Sequence, residues 1–288
     1  MRDSYKGIAA IIVASLLFSI MSVIVKYASQ AYGYSGTFLV FFRFLTALVL
    51  TLLLLSSGKV KWCIEDKKSW VLRGIFGSIS MILFYVAVTL VGSARGMLLN
   101  YMYPLFTAFF APIFFSEKTS KTEAMGILVS FFGVFVIFGL GGGEFDMYGL
   151  AAGILSALFA GLSINLVRKL RAEDPVLVYL SPVLFGFIIV SFETGNLALS
   201  NEFPQLTSAS LVLLGAMGLF AFFAQVIQTW GYKHLKAVRG SSVAFSAIPM
   251  VAALSYFLLG ESINLQFIIG AFFIFLGIRI VNRSEASY

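Results

Sequence analysis

The sequence predicts an all-α integral membrane protein of ten transmembrane helices, arranged as two inverted five-helix repeats with both termini cytoplasmic. Three observations carry that expectation: long apolar runs from end to end, an alternation of basic and non-basic loops, and segments that recur at a near-constant offset. The 288 residues are 60% hydrophobic and only 11% charged, with a mean hydropathy of +0.97. A soluble chain carries about 25% charged residues, so there are too few charges here to cover a water-facing surface.

A helix needs roughly 20 apolar residues to cross the hydrocarbon. By that length the spans fall at about 6–28, 35–56, 70–91, 95–115, 122–140, 147–169, 175–193, 208–230, 238–259 and 263–281. The first shows no small-residue cleavage site followed by a polar domain, which favours a spanning helix over a signal peptide. Alternating strands of about ten residues are absent, so a barrel is not expected.

The loops test the count. With the N-terminus inside, the inner segments hold Arg2, Lys6, Lys59, Lys61, Lys67, Lys68, Arg73, Lys118, Lys121, Arg168, Lys169, Arg171, Lys233, Lys236, Arg239, Arg279 and Arg283, which is 17 of the 20 basic residues. Only Lys26, Arg43 and Arg95 fall elsewhere, and the expected outer loops 139–147 and 193–208 contain no Lys or Arg. The net charge of +7 therefore reads as positive-inside bias, not as a nucleic-acid surface. One cysteine, Cys63, and one histidine, His234, allow neither an intrachain disulfide nor a His/Cys metal cage, and no cofactor is expected. His234, at an inner helix end among Lys233 and Lys236, reads as a solvated loop residue. The implied partners are the lipid bilayer and a small-molecule solute, in a multi-pass cell-membrane protein (the inner membrane in a bacterium).

The chain also contains itself twice. Arg95-Gly96 matches Arg239-Gly240, and Glu117 matches Glu261, each 144 residues apart. Gly126 and Gly133 match Gly270 and Gly277 at the same offset, Pro104 and Pro249 slip by one, and Gly7 matches Gly149 at 142. The units are 1–140 and 141–288. Five spans per unit is an odd number, so the second copy enters the membrane upside down, a plan that recurs in secondary transporters. Gly126 and Gly133 suit internal packing or a dimer face, leaving monomer and homodimer open.

The residues that follow resemble a known family. "FFRF" (41–44), "YVAVTLVGSARGMLLNYMYPLFTAFFAPIFFSEK" (85–118) and "WGYKHLKAVRGSSVAFSAIPMVAALSYFLLGES" (230–262) are similar to the drug/metabolite transporter superfamily, in particular its EamA-type members. "GILVSFFGVFVIFG" (126–139) and "GAFFIFLGIRIV" (270–281) resemble the last helix of each repeat. The resemblance implies a carrier of small metabolites with a central cavity, lined by the first, third, fourth, sixth, eighth and ninth helices. The fifth and tenth would be peripheral.

Polar groups inside apolar spans are the candidate binding residues, because each is costly in lipid. Arg43 sits about eight residues into the second span; it either attracts an anionic solute or stabilises the fold, outside the expected cavity helices. Lys26, near a span end, can snorkel or take part in the site. Asn100 precedes Pro104 by four residues, and proline leaves that carbonyl without its helical donor. An opened turn there, with Tyr101 and Tyr103 beside it and Ser246 and Pro249 in the repeat, suits a midplane site. Gln225 and Gln228 share a helix face, with Trp230 beyond. Asn165, with Ser163 two positions away, offers the same chemistry from the sixth span, and Tyr85 and Trp230 offer aromatic walls. For the amides, helix packing is the competing reading.

No Asp or Glu lies in the centre of a span, so facilitated diffusion or exchange is favoured over a buried-carboxylate proton relay. Glu117 and Glu261 fall at span ends, as helix caps or contacts to basic groups. An enzyme would need a nucleophile with its base, a metal triad or paired acids, and the spans supply none. "GLGGG" (139–143) lacks the lysine of a phosphate loop. The expected cargo is an amino acid or related amphipathic metabolite, then an organic anion or nucleoside-like compound, then a drug.

Overall fold

The computed structural model describes residues 2–115, 121–139, 146–200, 203–235 and 243–285, and every regular element among them is helical. The main helices are α1 (Arg2–Tyr32), α2 (Gly36–Ser56), α3 (Lys67–Val91), α4 (Ser93–Asn100), α5 (Tyr103–Phe115), α6 (Lys121–Gly139), α7 (Met147–Lys169), α8 (Pro175–Leu199), α9 (Ser208–His234), α10 (Ala247–Leu259) and α11 (Leu265–Glu285). Six of them, α1, α2, α3, α7, α8 and α9, are long and apolar enough to cross a membrane. Ala124–Ile137, Ala247–Leu259 and Leu265–Ile280 form shorter apolar stretches. The chain is a multi-pass membrane protein.

Five of the six long helices, α2, α3, α7, α8 and α9, begin where a short polar side chain accepts a backbone N–H, satisfying a donor that the helix itself leaves open. Ser35 Oγ accepts from Phe38 N at 3.1 Å, Asp66 from Ser69 N at 3.0 Å and Asp146 from Gly149 N at 3.0 Å. Asp174 accepts from Val176 N at 2.8 Å, with Pro175 starting α8. Thr207 and Ser210 form a reciprocal pair at the start of α9.

The expected fourth span is broken. Tyr101 and Met102 form a turn between α4 and α5, and helical pairing tightens there to Met102 N→Leu99 O (3.1 Å) and Leu105 N→Met102 O (3.0 Å). Pro104 cannot donate to Asn100, so the ladder opens at that point. The same break recurs at Phe245 and Ser246, 144 residues on, just before α10. Other ends shift outward from the expected limits: α1 runs on to Tyr32 and α8 to Leu199. Glu117, Arg239 with Gly240, and most of the loop 139–147 lie outside the described residues.

Packing pairs the two parts of the chain crosswise. α1 lies along α9 just as α7 lies along α3, and α2 packs on α8. α1 contacts α10 as α7 contacts α5, and α6 lies along α11. Glycines set the closest approaches: Gly7 sits against Leu235 and His234, and its sequence partner Gly149 against Val91 and Leu90. In the α6–α11 seam Gly133 meets Gly270 and Gly126 meets Gly277, with Ser130 Oγ donating to Ile274 O at 3.2 Å. These glycines serve internal packing, and their antiparallel pairing exchanges each residue with its copy 144 positions away.

Loop contacts sort into two ends of the bundle. At one end Glu65 N donates to Glu173 Oε1 (2.9 Å), Lys233 Nζ to Glu173 O (2.5 Å) and Trp70 Nε1 to Leu177 O (2.8 Å). At the other, Tyr34 Oη donates to Gln205 O (2.9 Å), and the Glu261 carboxylate accepts from Ser93 N (2.9 Å), Ser93 Oγ (3.1 Å) and Ala94 N (3.4 Å). Glu261 thus caps the α4 N-terminus, with Gly92 at φ +94° leaving it room. Lys26 does not snorkel freely: its Nζ donates to Thr89 O at 2.6 Å.

A side chain on Gly133 would collide with Gly270 O and Ile274. Gly133→Val is therefore expected to destabilise the seam by about 1–3 kcal/mol, the usual cost of overpacking. A melting curve in detergent checks this; a transition unchanged from wild type would show that the seam does not bear on stability.

Candidate functional site

A cavity of about 100 Å³ lies inside the bundle, where α1, α2, α3, α4, α5, α7 and α9 converge. One ordered water needs only ~10–15 Å³ by the same kind of measure, so this space holds a cluster of waters or a compact solute group. Phe18, Met81, Phe84, Met97 and Ile164 form its apolar walls. The polar lining comes from both parts of the chain: Arg43, Arg73, Ser80, Asn100, Tyr101 and Tyr103 from the first, Ser163, Gln225 and Gln228 from the second.

The broken helix supplies one side. Asn100 ends α4, and its Nδ2 donates to Ser156 Oγ at 3.1 Å; Ser80 Oγ donates to Ser156 O at 2.8 Å, joining α3, α4 and α7. Tyr101 is 5% exposed, and its hydroxyl has no hydrogen-bond partner among the described residues. Tyr103 Oη lies 2.5 Å from Tyr232 Oη of α9. Gln225 and Gln228 face the cavity together, as their three-residue spacing requires.

Two arginines complete the lining. Arg43 is 2% exposed; its Nε donates to Tyr179 Oη at 3.3 Å, its Nη1 lies 3.9 Å from Met21 Sδ, and its guanidinium rests 5.5 Å from the Tyr85 ring centroid. The second helix therefore does reach the cavity, contrary to expectation. Arg73 was expected among the inner basic residues, because it lies three residues into the expected span 70–91, close to the lipid–water boundary. It is 3% exposed, its Nη1 donates to Ser163 Oγ at 2.5 Å, and its Nε has no partner among the described residues. A Cβ on Gly77 would strike Arg73 Nη1, so glycine there keeps the seat open. An arginine in a membrane interior costs about 2.5–3.5 kcal/mol on insertion scales, and among the described residues no Asp or Glu lines this cavity to offset it.

Four expected site residues lie elsewhere. Asn165 turns toward α5, its Nδ2 donating to Thr107 O at 3.0 Å and Gly161 O at 3.2 Å, while Ser163 faces the cavity in its place. Tyr85 is fully buried beneath Arg43, with its hydroxyl 3.3 Å from Met21 Sδ. Trp230 is 39% exposed, its ring tilted against His234 with centroids 4.2 Å apart, and His234 is the last residue of α9 rather than a loop residue. Ser246 sits in the turn before α10, away from the cavity lining.

A second cavity, about 280 Å³, opens at the end of the bundle where Glu261 caps α4. Lys26, Arg95 and Glu261 all line it, so positive and negative charge are mixed there. Among the described residues, no cluster of three or more His, Cys, Asp or Glu could hold a metal ion.

Comparison with known proteins places these features in context. The Pseudopaline exporter CntI of Pseudomonas aeruginosa is 25% identical over 233 residues, 80% of each chain. The uncharacterized transporter YyaM of Bacillus subtilis is 24% identical over 82% of this chain and 80% of its own. Mouse solute carrier family 35 member G1 is 29% identical over 63% of this chain and 54% of its own. A protein of known crystal structure superposes with a TM-score of 0.62, covering 97% of this chain and 95% of that one at 17% identity, which shows a shared fold. The relatives are transporters, not enzymes. The EamA-like transporter sequence profile matches residues 5–139 and matches again over 147–283, and the protein belongs to that family.

Proposed function

We propose that the chain is a secondary carrier that moves a small polar or amphipathic metabolite by alternating access. Its ten spans would form two inverted five-helix halves, with the N- and C-termini cytoplasmic. The observation that carries this reading is a cavity that both halves line, at a point where the helical ladder opens. In lipid, open backbone is tolerated only in the protein interior or beside a cavity, so the Asn100–Tyr103 break has its natural place there.

The crosswise packing supports inversion. The main contacts between the halves have exchanged counterparts, α1–α9 with α3–α7, α3–α8 with α2–α9 and α1–α10 with α5–α7, and the α6–α11 seam pairs Gly133 with Gly270 and Gly126 with Gly277. Two such halves can trade shapes, opening the cavity first to one face and then to the other. The end held by Glu65, Glu173 and Lys233 is the cytoplasmic one in this scheme, in keeping with its basic loops.

The test is flux in proteoliposomes with labelled amino acids, organic anions and nucleoside-like compounds. Asn100→Ala and Gln228→Ala should insert normally and raise the KM of the transported compound about 2–10-fold, the worth of one polar contact. Transport at wild-type KM by both variants would remove them from the site. Asn165→Ala should behave oppositely, lowering the melting temperature while leaving KM unchanged, because its bond to Thr107 O holds α7 to α5. A raised KM with an unchanged melting curve would return Asn165 to the cavity.

A further inference from the structure

We infer that this cavity selects a solute bearing a compact oxyanion, a carboxylate or phosphate, and that Arg73 binds that group with Arg43 supplying the second positive charge. The inference rests on the carrier reading and gives that same site its substrate class.

Both guanidiniums are at least nine-tenths buried, and both line one cavity. A purely structural arginine spends its planar fork on carboxylates or backbone carbonyls. Here the partners are a phenol, a thioether and the face of a tyrosine ring for Arg43, and a serine hydroxyl for Arg73. None carries negative charge, and among the described residues no acidic side chain lines the space. Arg73 Nε is left without a partner among the described residues. Two like charges thus face a small cavity with donor capacity unspent.

A bidentate oxyanion is the ligand that matches a guanidinium fork. The apolar walls strengthen the attraction by keeping the local dielectric low. The rest of the lining fits the remainder of such a solute: Asn100, Gln225 and Gln228 read hydroxyl, amino or amide groups, and Tyr101 offers an unpartnered hydroxyl. The other cationic pair, Lys26 and Arg95, shares its cavity with the Glu261 carboxylate, and Lys26 Nζ already donates to Thr89 O. Gly77 is part of the device, because a side chain there would push Arg73 off Ser163.

The experiment is uptake by proteoliposomes of solutes matched in size and differing in charge: labelled succinate and glycerol 3-phosphate against succinamide, glycerol and choline. Wild type should move one of the anions at least about tenfold faster than its uncharged counterpart, and which anion wins separates carboxylate from phosphate recognition. Arg73→Gln should raise the KM for that anion about tenfold or more and shrink the anion-to-neutral ratio. Arg73→Lys should recover part of the ratio, and Gly77→Ala, which keeps the charge, should weaken anion binding in the same direction. Preference for neutral or cationic solutes would overturn the inference while leaving the carrier reading intact. So would an anion-to-neutral ratio unchanged by Arg73→Gln in a variant that still transports. Absence of protein-dependent flux for every solute would instead overturn the carrier reading itself.

Discussion

Hydrocarbon offers no water to complete a hydrogen bond or solvate a charge, and that single constraint organises this protein. Lipid-facing helices must close their own backbone ladders, and buried charge must be met from within the chain. The α4–α5 break and the two cavity arginines both go against that requirement locally. They occur together, around one cavity, shielded from lipid by the surrounding helices. Elsewhere side-chain caps on α2, α3, α7, α8 and α9 satisfy helix-start donors, and glycine seams bring helices into close contact, while the matching break at Phe245–Ser246 stands just before α10.

The seams and the cavity divide the work. Glycine at Gly133, Gly270, Gly126 and Gly277 lets α6 and α11 approach to backbone distance, forming a tight contact at the side of the bundle. The cavity helices are paired instead by side chains of mixed chemistry, such as Ser19 Oγ donating to Ala247 O at 3.1 Å and Asn165 to Thr107 O. In the proposed cycle the helices around the cavity are the ones that exchange neighbours. Glu261 on the α4 N-terminus and the Tyr103–Tyr232 hydroxyl pair lie on opposite sides of the helix break, which fits them to hold its two ends.

Much of this was legible from residues alone. Asn100 and Pro104 at four-residue spacing announced the broken ladder, Gln225 and Gln228 announced a shared face, and the glycines at offset 144 marked the repeat while leaving internal packing and a dimer face open. Arg73 was not legible, since positive-inside counting assigns any arginine near a helix start to the water boundary. Only the packing of α7 and α8 over α3 buries it. Asn165 and Ser163 were confused for a simpler reason: two positions are about 200° apart on a helix, so only one can face the cavity, and sequence does not say which. Trp230 lies just past Gln228 but rotates to the outside by the same geometry.

Direct evidence on the cavity as the solute site comes from a single engineered thiol. With Cys63, the exposed native cysteine, replaced by serine, Ala160→Cys would place one sulfur in the cavity lining. The measurement is its rate of reaction with a water-soluble methanethiosulfonate, with and without saturating transported solute. The account predicts reaction that slows about tenfold or more when solute occupies the site. Reaction at the same rate with and without solute would contradict it.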